Sequence, residues 1–269
     1  MLLRINSKSD EGKALREKYS VRGVPTVILF NGDGTEIDRL IGYDKREPWL
    51  KQLLSYAFNM GTLSDLISKS KDNGSADLFY QISGKYYDRG SYDKALENIE
   101  LARTAKGMTD ELKDNLELLS GECYLEKDPE KGKAMLAAIV QKGSGENSET
   151  AFDDLSSYFR RHKDDDALVS LYKSVLPRKG DDAEFLNSYA WTMGEIGKEL
   201  PQALEAAKKA VQLSKEDPQI LDTLAEIYYK LGDGKSAVET IDKAIQKEPN
   251  DEYYKGQRQK FLDKKKKGK

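Results

Sequence analysis

The stretch from Pro218 to Asp251 narrows the possible folds more than any other. Leu221, Leu224, Ala225 and Tyr228 fall on one face of a helix, and Ala237, Ile241, Ala244 and Ile245 on one face of a second. Gly232-Asp233-Gly234 separates the two, Pro249 stops the second, and Asn250-Asp251 can cap a third. A two-helix hairpin cannot cover its own apolar stripes, so such a unit is stable only when similar units stack on it. The unit spans 34 residues, and that period can be sought along the rest of the chain.

Two further stretches carry it. Ala76 to Thr109 places Phe79, Ile82, Ser83, Tyr86, Gly90, Ala95, Ile99 and Ala102 at corresponding positions. Ala183 to Asp217 places Leu186, Tyr189, Ala190, Gly197, Ala203 and Ala210 there, with one extra residue at its 198–202 turn. Ala and Gly at these places let two helices approach, and large side chains fill the holes beside them. Residues 110–182 read as two degenerate hairpins. One is predicted from Leu116 to Leu119, Cys123 to Leu125 and Ala134 to Val140; the other from Leu155, Tyr158-Phe159, Leu168 and Leu171-Tyr172. The Gly and Ala landmarks are mostly missing there, so the helices are legible but not their register. Glu252 to Lys264 reads as a final helix, with Tyr253, Tyr254, Phe261 and Leu262 covering the end of the stack. Its basic tail, Lys264 to Lys267 and Lys269, suits a solvated helix C-terminus, where the dipole favours cations; weak contact with an anionic surface is the other reading.

The spacing of Ala225, Tyr228, Gly232, Ala237, Ala244 and Pro249 resembles the tetratricopeptide repeat family. The resemblance implies a mainly α solenoid over residues 76–251, with about five helical hairpins and a capping helix at 252–269. In that family the first helix of each pair lines a concave groove that binds extended polypeptides. Carried over, the groove would hold Tyr80, Tyr87 and Asp88 from 76–109, then Asn187, Trp191 and Glu195 from 183–217. Asp222, Glu226, Tyr229 and Lys230 would follow from 218–251. The acidic members argue against an acidic C-terminal tail as ligand, and the Lys/Asn/Arg clamp of chaperone-binding relatives is absent. The same tyrosines would equally serve to pack neighbouring helices together.

The first 58 residues have a different texture. Leu2 to Ile5 reads as a short strand and Glu11 to Tyr19 as a helix. Val24 to Phe30 reads as a strand covered on both faces, and Thr35 to Tyr43 as an outer strand after the Asn31–Gly34 turn. Pro48 to Phe58 follows as a helix, with Trp49, Leu50, Leu53, Leu54 and Phe58 on its apolar side and Pro48 in its first turn. This order, with Gly23-Val24-Pro25-Thr26 heading the middle strand and Gly42 after the last, resembles the C-terminal half of the thioredoxin fold over residues 1–58. The resemblance implies that Pro25 is cis, that the backbone of Val24 pairs with a substrate polypeptide, and that Thr26 neighbours that site. In that family the redox Cys-x-x-Cys lies on a helix before the strand at which this chain begins, and a central strand follows that is missing here. The sequence therefore reads as part of a longer protein, with residues 59–75 a linking helix and loop. The implied longer form is a thiol–disulfide oxidoreductase whose array recruits its substrates or partners, in an extracytoplasmic (periplasmic) setting. The alternative class is a non-enzymatic interaction scaffold.

Composition limits the chemistry further. Lys+Arg number 44 and Asp+Glu 47, a formal net charge of −3, which gives no general nucleic-acid footprint. One cysteine, Cys123, leaves this chain without a redox pair, and its apolar neighbours mark it as a core thiol. One histidine, His162, has no companion nucleophile or ligand spacing and reads as a surface residue, so no metal and no cofactor are expected. Asp164, Asp165 and Asp166 suit a turn and a helix start, not the alternating ligands of a Ca²⁺ loop. No apolar run reaches the length of a membrane span.

Overall fold

The structure is a computed structural model that describes residues 4–43, 45–143 and 145–267. The chain divides into two compact units, Met1–Ile139 and Val140–Lys269, each taken by itself below.

In the first unit the α/β segment comes first. Helix α1 (Asp10–Lys18) is capped by Ser9, whose hydroxyl accepts the Gly12 amide. Gly12 is required there, since a Cβ at that position would lie 1.9 Å from the Asn6 carbonyl oxygen. Strands β1 (Thr26–Phe30) and β2 (Glu36–Ile41) form an antiparallel hairpin in the register Thr26↔Ile41 to Phe30↔Glu36, with a bulge between Leu29 and Phe30. Its turn closes through Asn31 N–H to the Thr35 carbonyl, and Gly34 supplies the positive φ (+84°) the turn demands. Helix α2 (Arg46–Ala57) begins two residues earlier than expected, which still leaves Pro48 in the first turn.

Three expectations for this segment need correction. Leu2 and Leu3 of the proposed first strand lie outside the described residues. Arg4 to Asn6 are not a strand; the Asn6 carbonyl accepts from the Ser9 amide and hydroxyl, so these atoms start α1 instead of joining a ladder. Strand β1 is half-buried instead of covered on both faces, because among the described residues the sheet has only two strands. For the same reason the apolar stripe of α2 is largely open: Leu54 is 61% and Phe58 74% exposed, and only Tyr56 is buried. Two strands form too narrow a platform for that helix. Trp49 turns aside to donate to the Gly42 carbonyl at 3.3 Å and to meet Tyr43 edge-on.

Helix α3 (Leu63–Asn73), capped by Thr62, leads into the hairpin of α4 (Ala76–Tyr87) and α5 (Tyr92–Thr104). The small residues read from the sequence are the contact points: Ser83, Ala95, Ile99 and Ala102 are fully buried, and Gly90 turns the chain at φ +68°. Helices α6 (Asp110–Lys127) and α7 (Pro129–Lys142) form the next hairpin. Their close approach rests on glycines the repeat pattern does not mark. A Cβ on Gly132 would sit 2.2 Å from the Leu125 backbone nitrogen, and one on Gly121 would sit 2.7 Å from Leu136.

The second unit contains α8 (Glu146–His162), α9 (Asp165–Lys179), α10 (Ala183–Ile196), α11 (Leu200–Leu213), α12 (Pro218–Lys230), α13 (Gly234–Lys247) and α14 (Glu252–Lys267). Caps follow the sequence. Asp164 accepts the Ala167 amide, Asp182 that of Phe185, Asp217 those of Gln219 and Ile220, and Asp233 that of Ser236. Ala203, Ala207 and Ala210 on α11, and Ala237, Ile241 and Ala244 on α13, are fully buried, as the stripe requires. Lys264 to Lys267 continue α14; Lys269 lies outside the described residues. No helix among the described residues is long and apolar enough to cross a membrane.

Candidate polypeptide-binding surfaces

In the first unit the Val24–Pro25 peptide bond is cis. Val24 is 59% exposed, Pro25 is exposed, and the Pro25 carbonyl accepts the Gly42 amide at 2.8 Å, which starts the β1–β2 ladder. Thr26 turns inward, its hydroxyl donating to the Gly23 carbonyl at 2.6 Å. What holds this loop is a side chain the sequence reading passed over. Arg22 donates to the hydroxyls of Tyr92 (3.0 Å) and Tyr87 (2.5 Å), lies 3.8 Å from the Tyr87 ring centre, and faces Glu126 at 3.9 Å. Tyr87, expected to line a ligand groove, is thus in contact with the residue three before Pro25. Tyr80 packs on the α4–α6 core, and burial, with help from Glu122 and Asp77, pushes its hydroxyl pKa up.

A second anchor lies one strand away. Asp38, fully buried on β2, accepts from Lys85 Nζ, Arg89 Nη2 and the Leu63 amide, each at 2.8 Å. Burial alone would push its carboxyl up; the hydrogen bonds from Lys85 and Arg89, with their charges, outweigh it and hold the group below the ordinary aspartate range. Next to it Arg39 forms a fork with Glu36 (2.9 and 2.6 Å) and donates to the carbonyls of Tyr19 and Asp88. The Asp88 carboxyl, expected on the groove, is instead pushed up by burial despite four nearby cations. A half-open cleft of about 510 Å³ runs between the β-turn, the end of α2 and the start of α3; its charged lining residues, Glu36 and Arg89, pair with each other at 3.1 Å.

In the second unit the predicted groove residues separate into two groups. Those on α12 already have partners from α14. Asp222 accepts from the Tyr253 hydroxyl (2.9 Å) and Gln257 (3.2 Å), and Glu226 from Lys260 (2.6 Å). The Tyr229 ring packs against Phe261 at 5.0 Å in a tilted arrangement. Burial pushes the Asp222 carboxyl up, and burial together with Asp222 pushes the Tyr253 hydroxyl to about 12. Of those on α10, Trp191 is open. Trp191 is 38% exposed, and one turn earlier the carboxamide oxygen of Asn187 is enclosed yet accepts no hydrogen bond. Glu195 is held by Arg160 of α8 at 2.7 Å, and Arg160 also donates to Thr192.

Helix α8 therefore lies beside α10, and Phe152 meets Phe185 edge-on between them. Its solvent-exposed stripe, Glu149, Asp153 and Ser157, was not singled out from the sequence, because residues 110–182 lack the landmarks that set a register. The structure supplies the register: Asp153 and Ser157 precede Asn187 and Trp191 by one 34-residue period and, like Trp191, are exposed. The remaining reactive types are quiet. Cys123 is fully buried and its thiol is pushed up to about 12 by burial. His162 stacks on Tyr158. Among the described residues no group of three or more potential ligands could hold a metal ion.

Comparison with known proteins gives two family matches: a thioredoxin-like domain over residues 4–57 and a tetratricopeptide repeat over 198–260. No curated protein matches the chain in sequence. Among solved structures, the chain is similar to a tetratricopeptide repeat protein from Parabacteroides merdae, at 13% identity and a TM-score of 0.50, covering 69% of this chain and 72% of that one. It is also similar to YrrB, described as a tetratricopeptide protein with an unusual peptide-binding site (15% identity, TM-score 0.45, 71% and 95% covered). A third similar structure is MamA (18%, 0.46, 66% and 94%). At these identities the likeness is one of fold.

Proposed function

For a chain that joins a thioredoxin-like domain to tetratricopeptide repeats, we propose a polypeptide-binding role, with the inner face of α8 and α10 as the binding surface. The observation that carries this reading is the exposed indole of Trp191 on α10. A large apolar side chain on a rigid helix is a good anchor for a polypeptide. The exposed Val24–Pro25 loop is a second surface of the same kind, in keeping with the thioredoxin-like resemblance.

Dithiol exchange belongs, in this reading, to a longer form that contributes other cysteines. Cys123 does not serve it, since a buried thiol raised to about 12 is almost wholly un-ionised near neutral pH. The experiment is direct binding of a mixed set of fluorescently labelled, unstructured ten-residue peptides, measured by anisotropy. Trp191→Ala is expected to weaken every binding member at least tenfold, the scale of a lost aromatic hot spot, with the helical circular-dichroism spectrum unchanged. Undiminished binding by a folded Trp191→Ala protein would place the site elsewhere. This chain is expected to be inactive in insulin reduction.

A further inference from the structure

We propose that Arg22 is a positioning residue for the Val24–Pro25 loop: the α4–α5 hairpin grips its guanidinium through Tyr87 and Tyr92 and so presents Val24 to a polypeptide ligand. This rests on the loop surface assigned above and names the side chain that prepares it.

The chain entering the loop is seated, residue by residue, on the α4–α5 turn. Arg39 donates to the Tyr19 carbonyl (2.8 Å) and to the Asp88 carbonyl (2.9 Å), which ties the end of α1 to the end of α4. Ser20 lies so close to the turn glycine that a Cβ on Gly90 would sit 3.1 Å from the Ser20 Cβ. Arg22 then donates to the Tyr92 and Tyr87 hydroxyls at 3.0 and 2.5 Å, with the Tyr87 ring centre 3.8 Å away. A planar guanidinium can stack on one ring and donate to two hydroxyls at once, which an ammonium cannot. Glu126 of α6, at 3.9 Å, balances the charge without taking a donor from the tyrosines.

Beyond Arg22 the contacts change character. Val24 and Pro25 are exposed, and the chain is caught again only by Thr26 Oγ1 on the Gly23 carbonyl and by the Gly42 amide on the Pro25 carbonyl. The loop is thus fixed on both sides with its apex open, the form of a surface ordered before its ligand arrives. Such ordering raises affinity because the loop loses little freedom on binding. Arg22 sits at the edge of the molecule, whereas Asp38 is fully buried. Its removal should therefore act on the loop far more than on global stability.

The test is a titration of the ¹⁵N-labelled full chain with a ten-residue peptide of alternating Thr and Val. Affinity is read separately from the Gly23, Val24 and Thr26 amides and from the Trp191 indole. Arg22→Ala is expected to weaken the affinity read at the loop about three- to tenfold. It should lower the order parameter of Val24 in the free protein, with the Trp191 affinity and the circular-dichroism spectrum unchanged. Arg22→Lys, which keeps the charge and loses the fork, should behave like Arg22→Ala. Tyr92→Phe should give a smaller loss that does not add to that of Arg22→Ala; it carries the comparison if Arg22→Ala does not fold. Tyr87→Phe keeps the ring under the guanidinium and should change little. Parental loop affinity in folded Arg22→Ala and Arg22→Lys proteins would overturn the positioning role and leave the loop a binding surface. Loop amides that do not respond to the peptide in the parent would remove the loop surface and this inference with it, without touching the reading at Trp191.

Discussion

Replacing Asp38 by Asn tests how the α/β segment is fastened within the first unit. The carboxylate is fully buried and receives four donors: Lys85, Arg89, the Leu63 amide and the Arg39 amide. An amide of the same size keeps one acceptor, points an N–H₂ group at donors, and leaves two largely buried cations without their counterion. Removing one partner of a buried ion pair costs about 3–5 kcal/mol. The lower end applies here, because Lys85 retains the Tyr56 hydroxyl at 3.0 Å and Arg89 retains Glu36 at 3.1 Å. At roughly 3 °C per kcal/mol for a body of this size, the expected fall in melting temperature is about 10 °C. Scanning calorimetry of the full chain is the assay, with hydrogen exchange of β1 and β2 to assign the affected transition. The pH dependence supplies a second check. The folded carboxyl lies below its unfolded value, so its contribution is present above the ordinary aspartate pKa of 3.8 and is lost as the pH falls through the folded value. The gap between Asp38→Asn and the parent should therefore be widest near neutrality and close only well into acid. A variant within 1 kcal/mol of the parent at pH 7, or a gap that does not narrow in acid, would refute the reasoning.

Asp222→Asn is expected to be neutral or slightly stabilising at pH 7 in urea melts. The Asp222 carboxyl is raised by burial, so the folded state binds its proton more tightly and the parent loses stability as pH rises through that window. The variant should lack this slope. Gly132→Ala should destabilise by about 3 kcal/mol or more, because its methyl would meet the Leu125 backbone at 2.2 Å. Gly256→Ala, with nothing within 4 Å, should stabilise by up to about 1 kcal/mol; chemical denaturation of both separates close packing from helix propensity. Cys123 should resist a maleimide in the native protein and react on addition of denaturant, since its thiol is buried and un-ionised.

The helices were legible in the sequence because their signals are local. Thr62, Thr109, Asp164, Asp182, Asp217 and Asp233 each accept the amide of the helix they open, and capping is decided within four residues. The 34-residue period found the hairpins wherever Ala and Gly mark the contact. It gave no register between α6 and α9, where the close approach of α6 and α7 rests on Gly121 and Gly132 and Asp153 and Ser157 take the place of Asn187 and Trp191. In the α/β segment the apolar residues of β1 and α2 were placed on their elements, except Val24, which precedes β1, and Phe58, which caps the end of α2. Their burial was not legible, because alternation shows which side of a strand is apolar and cannot show how many strands stand beside it.

The groove exposes the same limit more sharply. Repeat register assigns a residue to the inner face of its helix, and Tyr87, Asn187, Trp191, Asp222 and Glu226 were all chosen on that basis. Availability to a ligand depends on a further condition, that no neighbouring element satisfies the side chain first. Arg22 meets Tyr87 within the first unit, and Tyr253, Gln257 and Lys260 meet Asp222 and Glu226 within the second. Both are long-range pairs, 65 residues apart for Arg22 and Tyr87 and 31 for Tyr253 and Asp222, so no window of local sequence contains them. Trp191 escapes because the element beside it, α8, directs its own cation, Arg160, to Glu195 and Thr192. A side chain left open after internal pairing is the one a ligand can cover, so Trp191 on α10 is where a polypeptide gains most by binding, and Trp191→Ala should weaken the labelled peptides while Tyr87→Phe leaves them unchanged.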